Sequence, residues 1–277
     1  MLTKLNKQLL SLAYSPISFI KRLIFFTGVL VWLGLGVISA YAYQLYQLVP
    51  SEDSLSFASI RSHAQSIILA NSINAKNSNK IEWIELKDVN RDLLYAIVLS
   101  EDANYFSHSG IDYDALIAAL ADNIKTREWR FGASTISQQT SKNLYLTNNK
   151  TVTRKLQELL ITQRLESVLS KNQILELYLN IIEFGPELFG IGSASSYYFN
   201  KSVTEINAAE GAYLALLMPS PRKYHYTLYQ NGNWSPALKK KHQRILRDMR
   251  FKELISNRQF KRYSKWVYNR LYLRLKF

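Results

Sequence analysis

Between Leu23 and Tyr46 the chain carries no charged residue. No other feature constrains the fold as tightly, because an uncharged helix of that length spans about 36 Å at about 1.5 Å per residue, enough to cross a bilayer core. Lys4, Lys7, Lys21 and Arg22 precede the stretch, and the next charge after it is Glu52. Cations stay on the cytoplasmic side, so the N-terminus is expected inside and everything beyond residue 47 outside. Trp32 falls mid-span, while Tyr41, Tyr43 and Tyr46 fall where an interfacial aromatic belt would lie. Ala40-Tyr41-Ala42 also fits a small-x-small cleavage site, but the apolar stretch exceeds a usual signal-peptide core, which favours an uncleaved anchor.

The 277 residues suffice for one sizeable domain or two small ones, and a hydrophobic fraction of 47% excludes wholesale disorder. Cysteine is absent, which excludes disulfides and thiolate metal sites. The net charge is +14, but it is uneven: Ala237–Phe277 holds fourteen Lys or Arg against two acids. Such a basic end suits an anionic partner. Export of the body disfavours nucleic acid and leaves an anionic membrane surface or polymer.

The organisation expected is a basic cytoplasmic segment at 1–22, the anchor at 23–46, a polar linker with a short helix or loop at 47–80, a body at 81–250 and a basic aromatic tail at 251–277. The body reads as mainly α. Asn90 can cap a helix through Leu93, Leu94, Ile97 and Val98, with Glu101 at or just past its end. Asp112 can cap a second helix, Tyr113 to Ile124. Thr151 or Thr153 begins a third, with Leu156, Leu159, Leu160 and Leu165 at helical spacing. Ser170 caps a fourth, from Asn172 to Asn180, and Thr204 precedes a fifth, Glu205 to Leu217, ending at Pro219. Strand signals are sparse.

Three stretches carry candidate chemistry. Arg154, Lys155 and Glu158 share one helix face, which alone reads as a surface ion pair. Glu101-Asp102 stands before Phe106, His108 and Gly110; His108 alone reads as a structural histidine near the turn at Ser109-Gly110. Gly132-Ala133-Ser134-Thr135, followed by Gln138-Gln139, reads as a polar loop entering a helix, whose N–H groups and hydroxyls could hold phosphate or sugar oxygens. It lacks the ending of a P-loop. His63, His108, His225 and His242 are scattered and suggest no metal cluster.

Taken in order, these stretches resemble the motifs of the peptidoglycan glycosyltransferase family, lysozyme-like enzymes that polymerise lipid II. Glu101-Asp102 with Phe106, His108, Gly110 and Asp112 looks like the first motif. Gly132 to Asn143 looks like the second, with Ala133 where glycine is common. Arg154-Lys155-x-x-Glu158 looks like the third, Lys171-x-x-Ile174-Leu175-Glu176-x-Tyr178-Leu179-Asn180 like the fourth, and Arg244 to Met249 is similar to a weaker fifth. The resemblance covers roughly Trp83 to Met249. With no transpeptidase domain following, it is to the monofunctional biosynthetic branch, and Gly132–Gln139 and Asn180–Gly185 are most similar to its Gram-negative form.

The resemblance implies a lysozyme-like domain that joins lipid II into β-1,4 glycan with inversion, releasing undecaprenyl pyrophosphate in cell-wall synthesis. It makes Glu101 the general base on the acceptor hydroxyl. Glu158 would assist at the pyrophosphate of the growing strand, directly or through a divalent ion, Mg or Mn; no organic cofactor is implied. Lys142, Arg154 and Lys155 would bind phosphate oxygens, and Ser134, Thr135 and Gln139 would line the donor site. Asp102 would orient the first motif, and with Phe106 and His108 it joins the substrate-binding set. Glu176 and Asn180 read as structural, and for Lys171 both roles stay open. The location implied is the bacterial inner membrane, crossed once, with the catalytic domain periplasmic and other wall-synthesis or division proteins as partners.

Two segments bear on the membrane. Ala115-Leu116-Ile117-Ala118-Ala119-Leu120 is either core packing or a part of the body that dips into the outer leaflet. The tail interleaves cations with Phe260, Tyr263, Trp266, Tyr268 and Tyr272, which suits either a solvated end or an anionic bilayer surface. The rival functions are a lysozyme-like wall hydrolase, which has no need of Lys142, Arg154 and Lys155, and a non-catalytic membrane-anchored wall scaffold.

Overall fold

The computed structural model describes residues 16–47, 49–51, 55–73, 82–127, 134–147, 149 and 151–266. Two compact units result, residues 1–49 and 50–277. Among the described residues the first holds one helix, α1 (Pro16–Gln47). Its segment Ser18–Gln47 is long and apolar enough to cross a membrane, and its apolar side chains from Phe19 to Ile38 are exposed for the most part. The expected span lies inside it.

The second unit is mainly α, as the periodicities predict. Its centre is the contact of α3 (Arg91–Glu101) with α9 (Ala208–Leu217). Every residue of α9 is buried, and α3 contributes Leu93, Ala96, Ile97 and Val98 to the same core. Gly211 makes the approach possible: a Cβ there would come within 3.0 Å of the Leu93 Cα and 3.1 Å of the Ala96 Cβ. Around this pair stand α4 (Tyr113–Thr126), α5 (Ile136–Tyr145), α6 (Val152–Val168), α7 (Lys171–Ile181), α8 (Ile191–Phe199), α10 (Pro221–Tyr224), α11 (Pro236–Phe251) and α12 (Asn257–Tyr263). Among the described residues the β structure is one antiparallel pair, β1 (Glu183–Gly185) and β2 (Leu188–Phe189).

Short-range side-chain caps set most helix starts. Asn90, Asp112, Thr151 and Ser170 each accept a hydrogen bond from a first-turn N–H, as their positions suggested. The fifth expected helix starts later than Glu205. Asn207 accepts from the N–H groups of Ala209 and Glu210, and Glu210 reaches back to the Asn207 N–H, a capping box that Thr204 cannot form. Glu205 instead accepts from the Ser202 N–H in the preceding turn.

Two segments differ from expectation. The region read as a linker carries a 17-residue helix, α2 (Phe57–Ile73). Its Ile60, Ala64 and Ile68, spaced by four, are buried, and it lies against α5 and α7. Its His63 contacts the Leu144 carbonyl oxygen at 3.1 Å. The tail folds back as far as Trp266: Ile255 and Tyr263 are buried, and the Trp266 ring stacks on His242 with centroids 5.7 Å apart. Residues 267–277, like 1–15 and Gly132-Ala133 of the second motif, lie outside the described residues.

Candidate active site

Glu101 is the last residue of α3 and faces a cleft of about 820 Å³ shared with Ser134, Gln139, Lys142, Lys241 and Arg244. Its side chain is only 11% exposed. The Tyr178 hydroxyl donates to Gln139 Oε1 at 3.1 Å, which turns the Gln139 amide N–H toward Glu101 Oε2 at 3.2 Å. The second oxygen, Oε1, has Ser100 Oγ at 3.5 Å and the Lys241 ammonium at 4.0 Å. Burial raises the Glu101 carboxyl above the usual carboxylate range, against the lowering effects of Lys241, Gln139 and Ser100. Asp102 adds to the rise, but least among these causes.

Asp102 contributes little because its carboxylate points elsewhere. It accepts from the Ile136 N–H at 3.0 Å and from His108 Nε2 at 3.0 and 3.1 Å. Asp102, His108 and Asp112 gather their ligand atoms within 4.8 Å of one another, a grouping that linear spacing does not reveal. Most of their atoms are engaged internally: Asp112 accepts from Asn104 and from the Ala115 N–H, whereas His108 Nδ1 is buried without a hydrogen-bond partner among the described residues. His108 and Asp102 are therefore a brace within the first motif. Gly110 closes that brace with φ +90, where a Cβ would meet Thr162 Cγ2 at 2.9 Å. Phe106 is half exposed and packs edge-on against Tyr105. Neither Phe106 nor His108 lines the cleft.

The second motif supplies both wall and scaffold. Thr135 caps α5, and its hydroxyl also donates to the Gly110 carbonyl at 2.6 Å, so it is committed to structure. Ser134 lines the cleft and accepts from Lys155 at 3.2 Å. Lys142, one turn beyond Gln139, also lines it.

The third motif forms a buried knot of charge. Glu158 is 3% exposed, and its two oxygens are held by Arg154 at 2.8 Å and by Lys155. Lys142 feels this group: burial lowers its ammonium below the ordinary lysine range, Glu158 raises it, and Arg154 and Lys155 lower it again. Three cations thus surround one carboxylate. The surplus of positive charge in a partly desolvated place is a site for an anion, and Arg154 and Lys155 supply directed donors.

The fourth motif holds the frame. Glu176 accepts from the Trp83 indole and the Leu86 N–H, and Asn180 pairs with both backbone groups of Ile84. Lys171 is bound to Glu166 at 2.6 Å and lies over the Tyr105 ring, which makes it a strut. Sequence reasoning missed Lys241 and Tyr178 as site residues. The first was counted with the basic tail; only its helical offset of three from Arg244 could have drawn attention to it.

The helical body thus sets one buried carboxylate, Glu101, in a cleft and a knot of cations around a second carboxylate, Glu158. The family model described as Transglycosylase matches residues 67–250, and the chain belongs to that family. The biosynthetic peptidoglycan transglycosylase of Nitrosospira multiformis is 42% identical over 173 residues, 62% of this chain and 73% of the relative. That of Chromobacterium violaceum is 41% identical over 173 residues, 62% of this chain and 74% of its own length. That of Pasteurella multocida is 39% identical over 176 residues, 64% and 69% of the two chains.

Proposed function

We propose that this chain is a peptidoglycan glycosyltransferase that polymerises lipid II into β-1,4 glycan and releases undecaprenyl pyrophosphate. The observation that carries the reading is a cleft lined by both a buried carboxylate, Glu101, and the cation Lys142, with Arg154 and Lys155 held behind it by Glu158 and Lys155 bonded to the lining residue Ser134. A hydrolase of neutral glycan needs the first and not the second.

In this reading Glu101 takes the proton of the acceptor 4-hydroxyl. The oxygen attacks the anomeric carbon of the donor from the face opposite the pyrophosphate, and the bond from that carbon to the phosphate oxygen breaks with inversion. The charge appearing on the leaving pyrophosphate is met by Lys142, Arg154 and Lys155. A raised carboxyl is a stronger base once ionised, which suits proton removal from an alcohol. Glu158 holds Arg154 and Lys155 in place. A divalent ion fits poorly as a protein-held group here, because both Glu158 oxygens are engaged by cations and a hard ion needs several free oxygen ligands. A Mg or Mn ion would have to arrive on the pyrophosphate itself, and no step is assigned to it.

The substrate is a membrane lipid, and α1 supports an anchored enzyme with a periplasmic body. Helix α4 supports a second contact. It turns Ala115, Ala119 and Asn123 toward the body and leaves Tyr113, Leu116, Ile117, Leu120 and Ile124 exposed along one side. This favours the outer-leaflet reading over core packing.

Incubating full-length protein with labelled lipid II and separating the products by size tests the proposal. Lysozyme-sensitive polymer that disappears in Glu101→Gln is expected. Shortening of preformed glycan without polymer would make the chain a hydrolase, and neither activity would leave the scaffold.

A further inference from the structure

Helix α11 lies outside the first four motifs, yet it reaches the proposed base. Lys241 and Arg244 both line the cleft. Among the described residues, the Lys241 ammonium is the cation that comes within ion-pair range of Glu101, 4.0 Å from Oε1. That distance is too long for a hydrogen bond. Lys241 therefore gives Glu101 a neighbouring positive charge without occupying its oxygen. Oε2 is held by Gln139, itself oriented by buried Tyr178, and Oε1 has only the longer contact from the Ser100 hydroxyl at 3.5 Å, so Oε1 is the less engaged oxygen and the one that faces a substrate proton.

Helix α11 is fixed where it must be for this contact. The residue after Lys241, His242, is buried and contacts the Ala209 carbonyl oxygen at 2.9 Å. Its ring is covered by Trp266 on one face and met edge-on by Trp234. Lys241 itself is about one-quarter exposed, and the other charge acting on it, Arg244, repels it. The remaining groups about the base do not substitute for it. Asp102 is turned away, and Tyr178 is held in its neutral form by burial. Lys142 is engaged with the Glu158 cluster, while on the rim Glu183 pairs with Arg222.

We infer that Lys241 is a positioning residue for this reaction: its ammonium keeps the Glu101 carboxylate ionised in the cleft from a distance that does not take up Oε1, which can then accept the proton of the incoming hydroxyl. The inference rests on the glycosyltransferase reading for its reaction, but not for its electrostatics.

The test is the pH profile of lipid II polymerisation for the full-length wild type, Lys241→Met and Lys241→Arg. In the Met variant the acidic limb should move to higher pH by about one unit or more, with recovery toward the wild-type rate at alkaline pH. Arg should restore the limb. A Met variant that is slower at every pH, with the limb unmoved, overturns the inference. A second measurement needs no substrate: titration of the Glu101 carboxyl carbon by NMR in ¹³C-glutamate-labelled protein in detergent micelles, its signal assigned by loss in Glu101→Gln. Lys241→Met should raise that titration midpoint; an unchanged midpoint overturns the inference even if the protein makes no polymer. Absence of polymer from wild type with a shifted midpoint would sink the glycosyltransferase reading and leave the electrostatic role standing. Should the Met variant not fold, the same titration on Lys241→Gln decides.

Discussion

The carboxylate of Asp102 accepts the backbone N–H of Ile136 at 3.0 Å, at the N-terminal end of α5. This joins the end of α3, which carries Glu101, to the start of the helix that carries Gln139 and Lys142. A negative group at a helix N-terminus is favourable, and here it also holds the His108 ring. Asp102→Ala should therefore cost about 1–3 kcal/mol in chemical denaturation, because the Ile136 N–H and His108 are left buried without their acceptor. Activity should fall with it as Gln139 loses its register, whereas Phe106→Ala should have a smaller effect on stability.

Glu101→Gln should abolish polymerisation and raise stability at neutral pH. The sign follows from burial. A carboxyl whose folded pKa lies above its unfolded value binds protons more tightly when folded, so the fold loses stability as pH rises from the ordinary carboxylate range through the folded value. The neutral amide removes that loss. Thermal unfolding at several pH values should show no gap between wild type and variant in acid and a widening gap in favour of Gln toward neutrality.

Lys142→Met should leave the fold intact and lower kcat/KM by ~10²–10³-fold, the scale for removing one preorganised donor from a developing anion. Arg154→Ala is a different case. It leaves the buried Glu158 carboxylate with Lys155 as its remaining ion-pair partner, so unfolding should also become easier by about 1–3 kcal/mol. Arg154→Lys should recover stability more than rate, since lysine cannot supply the two-pronged donor.

Removing 251–277 strips Ile255, Tyr263 and Trp266 from their packing, at about 1.5–3 kcal/mol for each large buried side chain. A shorter deletion, of 267–277 alone, tests the end of the tail by itself. If the end of the tail rests on an anionic bilayer, the shorter deletion should weaken binding to anionic vesicles at low salt and not at high salt.

The exposed side of α4 predicts a contact that does not depend on α1. In a fragment covering residues 50–277, the pair Ile117→Asp and Leu120→Asp should reduce vesicle flotation with little change in melting, because both side chains are exposed. A large loss of stability would mean that they pack inside the body.

Several features were legible along the chain because they arise from neighbours within a turn or two. The caps at Asn90, Asp112, Thr151 and Ser170 are hydrogen bonds to first-turn N–H groups, and the membrane-length helix follows from the absence of charge between Leu23 and Tyr46. The cluster Arg154, Lys155 and Glu158 follows from helical spacing alone. Tertiary structure decided the rest. It made α2 part of the body, because Ile60, Ala64 and Ile68 find α5 and α7 to bury against. It also turned Asp102 from Glu101 toward the free N–H of a distant helix. And it brought Lys241, which the sequence groups with the basic tail, to 4.0 Å from Glu101, because α11 packs against both α3 and α9. The pKa of Glu101 belongs to this second group. Its main cause is burial, and burial is set by how distant segments close around a side chain, which no local pattern encodes.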